Sequence, residues 1–362
     1  MPATSQDPSS AAPIEAISRD TGLSTAAASA LGSGEPNPGS ERLRGPLGAA
    51  AEGPPPAAGA SVAQASVAQA SVAQGSADPK TQLAGEGPRS LPEDRVDVWL
   101  LRPEDFRYQD ALEDHAHLMS SAEQARHARF HGDRLRHDFL MARALVRRTL
   151  SRYEDVAPQD WRFEIGTHGK PSLAADHGSR LRFNLSHTRG LIACAVRLDE
   201  EVGLDVETSA RRNDIVRIAD RFFSAEEVRA LHALPVEEHR ARFFTYWALK
   251  EAYIKARGLG LAIPLGAFTF RLSGAAPIGI AFDERITEDP GGWRFHHRWA
   301  TTVHSLAVAT PRSTATLKVF TQEARGLGLG TDGDPAAIPS AEGSAGPTDG
   351  PDAAARDRRE PR

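Results

Sequence analysis

Val202-Gly203-Leu204-Asp205-Val206-Glu207 alternates apolar residues with two carboxylates and reads as a strand with one face turned to a core. Neighbouring strand side chains point to opposite sides, so Asp205 and Glu207 share one face and Val206 takes the other. Downstream, Ile215 to Phe222, Ala225 to Leu234 and Glu237 to about Arg257 read as helices. Gly258 closes the last of them, in the position glycine favours just past a helix end. Strands follow at Phe268 to Leu272, Trp293 to Trp299 and Val303 to Ala309. Upstream the order is similar. Val96 to Leu101 reads as an opening strand, Ser120 to Phe130 and Arg134 to Tyr153 as helices, and Trp161 to Ile165, Leu181 to Leu185 and Leu191 to Val196 as strands. Helices then strands, twice over, predict an α+β chain of two similar halves, each a small, mainly antiparallel sheet packed with helices.

Outside this block the composition changes. Residues 1–92 are rich in Ala, Gly, Ser and Pro, and include a tandem repeat of Ala-Ser-Val-Ala-Gln type from Ala60 to Gln74. Such a segment buries too little apolar area to offset roughly 1–2 kcal/mol per residue of backbone ordering entropy. It reads as a disordered extension, and 312–362 reads as a disordered tail of the same character. The folded part divides into an N-terminal half, 93–200, and a C-terminal half, 201–311, that carries the paired carboxylates. A net charge of -5 argues against a nucleic-acid binder. The single cysteine, Cys194, permits no internal disulfide and fits a reducing cytoplasm. Neither a membrane span nor a secretory leader is legible.

Two carboxylates held as close as Asp205 and Glu207 repel unless a cation, hydrogen bonds or solvent relieve them, and a hard divalent ion suits oxygen ligands. On the long helix, Glu251 and Lys255 lie one turn apart, with Trp247 a turn above. That spacing fits an ordinary surface ion pair, or a further carboxylate beside a cation for a phosphate. Ser224-Ala225-Glu226-Glu227 is a capping box, which by itself accounts for Glu227. Phe183-Asn184-Leu185-Ser186-His187 ends a strand in polar residues able to meet an anion. Gly169-Lys170-Pro171 is a turn that presents a lysine. Arg126, Arg129, Arg134, Arg136, Arg143, Arg147 and Arg148 crowd the two early helices, and a subset on one face would suit several phosphates. No Gly-rich nucleotide cradle is present.

Taken together these segments resemble the 4′-phosphopantetheinyl transferases, in particular the longer Sfp-type group. The matching segments are Ala128-Arg129-Phe130, Ala142 to Arg147, Gly169 to Pro171, Phe183 to Thr188, Val202 to Glu207, Arg221 to Ser224 and Trp247 to Lys255, over about residues 95–310. Leu204 stands where the family has isoleucine. The resemblance implies two pseudosymmetric halves with coenzyme A in the cleft between them, and a working monomer. It implies Asp205, Glu207 and Glu251 as ligands of Mg²⁺, with Mn²⁺ as a substitute. It implies Lys170, Ser186, His187 and Arg143 as coenzyme A contacts, and Lys255 as the group that stabilises the leaving phosphate. The base is Glu251 or, second, Glu227. The reaction implied is transfer of 4′-phosphopantetheine to a serine of an apo acyl or peptidyl carrier protein. Two other readings stand beside it: a different Mg²⁺-dependent phosphotransferase or hydrolase using the same carboxylates, and a non-catalytic module that binds an acidic partner through the arginine-rich helices.

Overall fold

The computed structural model describes residues 88–329, apart from 213, 261–262, 273, 275–276 and 313–316. Of the extension expected over residues 1–92, residues 1–87 lie outside the described residues, as does the tail beyond 329; Leu91 already packs into the first half's core. The first half runs β1 (Arg95–Leu101), α1 (Tyr108–His115), α2 (Ser121–Arg129), α3 (Asp133–Ser151), β2 (Phe163–Ile165), β3 (Pro171–Leu173), β4 (Leu181–Thr188) and β5 (Leu191–Leu198). The second runs β6 (Gly203–Thr208), α4 (Ile215–Phe222), α5 (Ala225–His232), α6 (Val236–Arg257), β7 (Phe268–Arg271), β8 (Gly279–Phe282), β9 (Trp293–Trp299), β10 (His304–Pro311) and β11 (Lys318–Glu323). Helix α1 and the short strands β3 and β8 were not expected from the sequence, and strand β2 is shorter than its reading because Trp161 and Arg162 precede it.

Two sheets dominate. One has the order β11-β1-β5-β4 and the other β6-β10-β9, while β2-β3 and β7-β8 are separate two-stranded pairs. All pairings are antiparallel except β1 with β11, so the architecture is α+β. Period-two alternation sets the layers. Trp99, Leu101, Leu185, Ile192 and Cys194 face α3 in one core. Val96, Val98, Leu100, Ala193 and Ala195 face Leu204, Val206, Leu306 and Val308 in a second core between the sheets. Ala307 and Ala309 face α6 in a third. The order is helix, sheet, sheet, helix, and each half repeats the plan of one long helix on the outer face of a small sheet.

A shared device anchors both long helices. Ser120 and Glu123 form a capping box at α2, and Ser224 and Glu227 form one at α5. Each capping glutamate is buried and ion-paired to a cation on the long helix of its own half: Glu123 to Arg147 at 2.6 Å, Glu227 to Lys250 at 2.7 Å.

The boundary at residue 311 needs correction. Strand β11 lies within the stretch read as a tail, and it extends the first half's sheet by pairing from Arg95↔Lys318 to Leu100↔Glu323. Ala324, Leu327 and Leu329 then enter the first half's core. Leu317-Lys318-Val319-Phe320-Thr321 carries the β-branched and aromatic residues of a strand, but the Gly- and Pro-rich sequence that follows hid it.

Candidate active site

Strand β6 is both the edge of its sheet and the floor under α6. Gly203 lets the two meet: a Cβ there would stand 1.9 Å from the Ala252 carbonyl oxygen and 2.4 Å from the Ala256 nitrogen. This approach brings the side of β6 that carries Asp205 and Glu207 against the part of α6 that carries Glu251 and Lys255. All three carboxylates are buried.

The free edge of β6 is met by β4. Asn184 Oδ1 accepts from the Leu204 amide at 2.9 Å, and Ser186 Oγ accepts from the Val206 amide at 3.2 Å. Side chains at alternate positions of one strand thus satisfy amides at alternate positions of another, where water would otherwise be needed. Ser186 also donates to Asp205 Oδ1 at 3.1 Å. Lys255 Nζ completes the knot, donating to Asp205 Oδ1 at 2.6 Å and to Ser186 Oγ at 3.0 Å. The surface ion pair between Glu251 and Lys255 is therefore not what forms; the cation reaches across to the strand.

Burial dominates the electrostatics. It pushes Asp205 above the ordinary carboxylate range, with Lys255, Ser186 and Arg211 pulling the other way. Glu251 is raised as well, first by burial and then by the neighbouring Asp205 charge. Charge is therefore expensive here unless a cation is present. Among the described residues Asp205 Oδ2 has no hydrogen-bond partner, and no three His, Cys, Asp or Glu side chains converge as a ready metal cage. The chemistry of the donors still suits a hard divalent ion: Asp205, Glu207 and Glu251 are all buried carboxylates, and Asp205 has an uncommitted oxygen.

The remaining predicted residues divide. His187 points to the opposite side of β4 from Ser186, and its imidazole is held down to about 4, first by burial and then by the charges of Lys255, Arg143, Arg211 and Arg134. The charges of four cations thus act on one neutral ring, an environment suited to an anion. Arg143 is fully buried, with Nε 3.1 Å from Glu123 Oε1 and its guanidinium over the Phe139 ring. It reaches the site through its charge, not as an exposed ligand contact. Lys170 departs from expectation. Its ammonium is committed to Glu201, to the Ala256 carbonyl at 3.2 Å and to the Val202 carbonyl at 3.4 Å, so it braces the β2–β3 turn against β6 and the end of α6.

Glu227 is corrected outright. Oε2 accepts from the Ser224 amide and hydroxyl and pairs with Lys250, while Oε1 accepts from the Phe270 amide at 2.9 Å. Lys250 in turn donates to the Leu265 and Phe268 carbonyls at 2.8 and 2.7 Å. Both oxygens are spent inside the second half's core, and none is left to act as a base. Two residues at the site went without a role in the sequence reading: Asn184, although its strand was singled out, and Arg211. The signal for Asn184 is the alternation of Asn184, Ser186 and Thr188 along β4.

A family profile described as the 4′-phosphopantetheinyl transferase superfamily matches residues 201–310. The 4′-phosphopantetheinyl transferase HetI of Nostoc sp. is 38% identical over 174 residues, which cover 48% of this chain and 73% of that protein. The 4′-phosphopantetheinyl transferase Sfp of Bacillus subtilis is 32% identical over 152 residues, 42% of this chain and 66% of that one. Among solved structures, the holo-[acyl-carrier-protein] synthase of Thermotoga maritima aligns with a TM-score of 0.26 and 22% identity, over 33% of this chain and 64% of the other.

Proposed function

The chain belongs to the 4′-phosphopantetheinyl transferase superfamily, and from that premise we propose that it moves 4′-phosphopantetheine from coenzyme A to a serine hydroxyl of an apo carrier protein. The observation that carries this reading is the knot at the join of the halves, where Lys255 of α6 is bonded to Asp205 of β6 and Ser186 of β4, with Glu251 alongside.

The serine oxygen forms a bond to the β-phosphorus of coenzyme A, and the bond from that phosphorus to the bridging oxygen breaks. Adenosine 3′,5′-bisphosphate leaves. Asp205, Glu207 and Glu251 would hold Mg²⁺, which when bound neutralises pyrophosphate charge. Burial and Asp205 raise the proton affinity of Glu251; held ionised against both by bound Mg²⁺, the carboxylate would be free to accept the serine proton as the new bond forms. Lys255 offers an ammonium to the departing phosphate. The cations around His187 draw the nucleotide end of coenzyme A to the β4 side.

Both halves are present in one chain, so a monomer supplies the whole site. A reducing cytoplasm fits the buried thiol of Cys194; among the described residues no helix is long and apolar enough to cross a membrane. Intact mass spectrometry after incubation with coenzyme A, Mg²⁺ and apo carriers of fatty-acid, polyketide and peptide-synthetase type tests the reading. One phosphopantetheine added to a carrier is the expected product. No gain on any carrier overturns it.

A further inference from the structure

Arg211 follows the carboxylate strand β6 and reaches Thr188 at the end of β4. Its aim is fixed from several directions. The turn after β6 is pinned by the Ser209 amide donating to the Val303 carbonyl at 2.8 Å and by the Ala210 amide donating to Thr208 Oγ1 at 3.3 Å. The Arg211 carbonyl accepts from Arg240 of α6. At the other end of the side chain, Nη2 donates to Thr188 Oγ1 at 3.2 Å, the next alternate position of β4 after Asn184 and Ser186. Nη1 is buried and has no hydrogen-bond partner among the described residues.

A buried guanidinium nitrogen without an acceptor is costly unless something else supplies one. No carboxylate among the described residues lies at ion-pair distance from Arg211, although its charge acts on both Asp205 and His187. The residue is held in place by neutral groups, as a preorganised oxyanion donor is. A fork of N–H groups matches phosphate oxygens in a way that a single ammonium does not.

We propose that Arg211 is a substrate-binding residue that donates to phosphate oxygens of coenzyme A from the Thr188 end of β4. This rests on the transferase reading above. Lys255 then serves the leaving group beside Asp205, and Arg211 holds the phosphorylated ligand beside His187.

Calorimetry on the full chain tests this with coenzyme A and with dephospho-coenzyme A, alongside carrier-modification kinetics. In Arg211→Gln the coenzyme A dissociation constant and KM rise about tenfold or more, the loss of a charged hydrogen bond, while kcat changes less. Arg211→Lys falls between that variant and the wild type. Arg212→Gln, which alters the exposed neighbour, binds as the wild type does. A penalty that vanishes with dephospho-coenzyme A assigns Arg211 to the 3′-phosphate, and one that persists assigns it to the pyrophosphate; either supports the inference. If Arg211→Gln fails to fold, Arg211→Lys decides alone. Wild-type affinity in Arg211→Gln, or in Arg211→Lys where that variant decides, overturns the inference with the transferase reading intact. A wild-type chain that binds no coenzyme A overturns both.

Discussion

Glu227 and Glu251 are both buried carboxylates of the second half, yet their surroundings give them opposite tasks. Glu227 is saturated with donors, whereas Glu251 is destabilised as an anion by burial and by Asp205. Replacing Glu251 or Asp205 by alanine should lower carrier modification by about 100-fold or more, the scale on which loss of a preorganised charge acts, with the far-UV circular dichroism unchanged. Glu227→Gln should do the reverse. It leaves Lys250 buried without its counter-charge, a loss of about 3–5 kcal/mol visible as a lower melting temperature, while kcat of the folded fraction is kept. A folded Glu227→Gln with lost turnover would return that residue to the chemistry. Much of this was readable beforehand. Asp205, Glu207, Glu251 and Lys255 stand out as residues, and the capping box already offered Glu227 a structural use. That Lys255 would choose Asp205 over Glu251 was not readable, because i,i+4 spacing fixes the neighbour on the helix and says nothing of what the helix lies against.

At the level of elements, the site depends on how closely β6 approaches α6. Gly203→Ala places a methyl group inside backbone that cannot yield, so the helix must move away from the strand. We expect a loss of about 1–3 kcal/mol, as for overpacked cores, read from the urea midpoint, together with reduced turnover as Glu251 is carried away from Asp205. Helix α1 makes a different prediction. Burial, helped by Arg148, depresses the His115 imidazole to about 4 in the folded protein, against about 6.5 when unfolded. The unfolded chain then binds the extra proton between those values, so stability is intact above pH 6.5 and falls as the pH drops toward 4. His115→Gln should flatten that slope by up to about 1.4 kcal/mol per pH unit, measured by denaturant unfolding at several pH values. An equal slope in the variant would mean that other groups carry the acid sensitivity.

Over the whole molecule, the chain closes on itself. Strand β11 leaves the second half and returns to the sheet of the first, where Gln322 donates to buried Asp97 at 3.3 Å and accepts from Arg89 at 2.8 Å. Ending the chain at Leu317 would expose the edge of β1 and remove Leu327 and Leu329 from the first core. An uncovered edge and a hollowed core both favour association. The shortened chain should melt well below the full one and show aggregates by light scattering; an unchanged melting curve would show that β11 adds nothing to the first half. The inter-sheet core and the Asn184 and Ser186 stitches bind the halves without β11, so the two sheets should stay associated in the soluble fraction.

Periodicity and end signals determined the longer helices and main strands, the two-half plan and the carboxylate face of β6, because those depend on contacts within a few residues. Strand β11 escaped because short strands carry weak signals and the Gly- and Pro-rich sequence after it dilutes them. Only the tertiary structure decided which cations meet which anions. The sequence presents Lys170 and Ser186 as ligand contacts, whereas folding sets one as a brace and the other as a stitch beside Asp205. Charge partners are chosen across elements far apart in the chain, where burial makes an unpaired group costly and the packing of backbone on backbone, as at Gly203, fixes which partner is within reach.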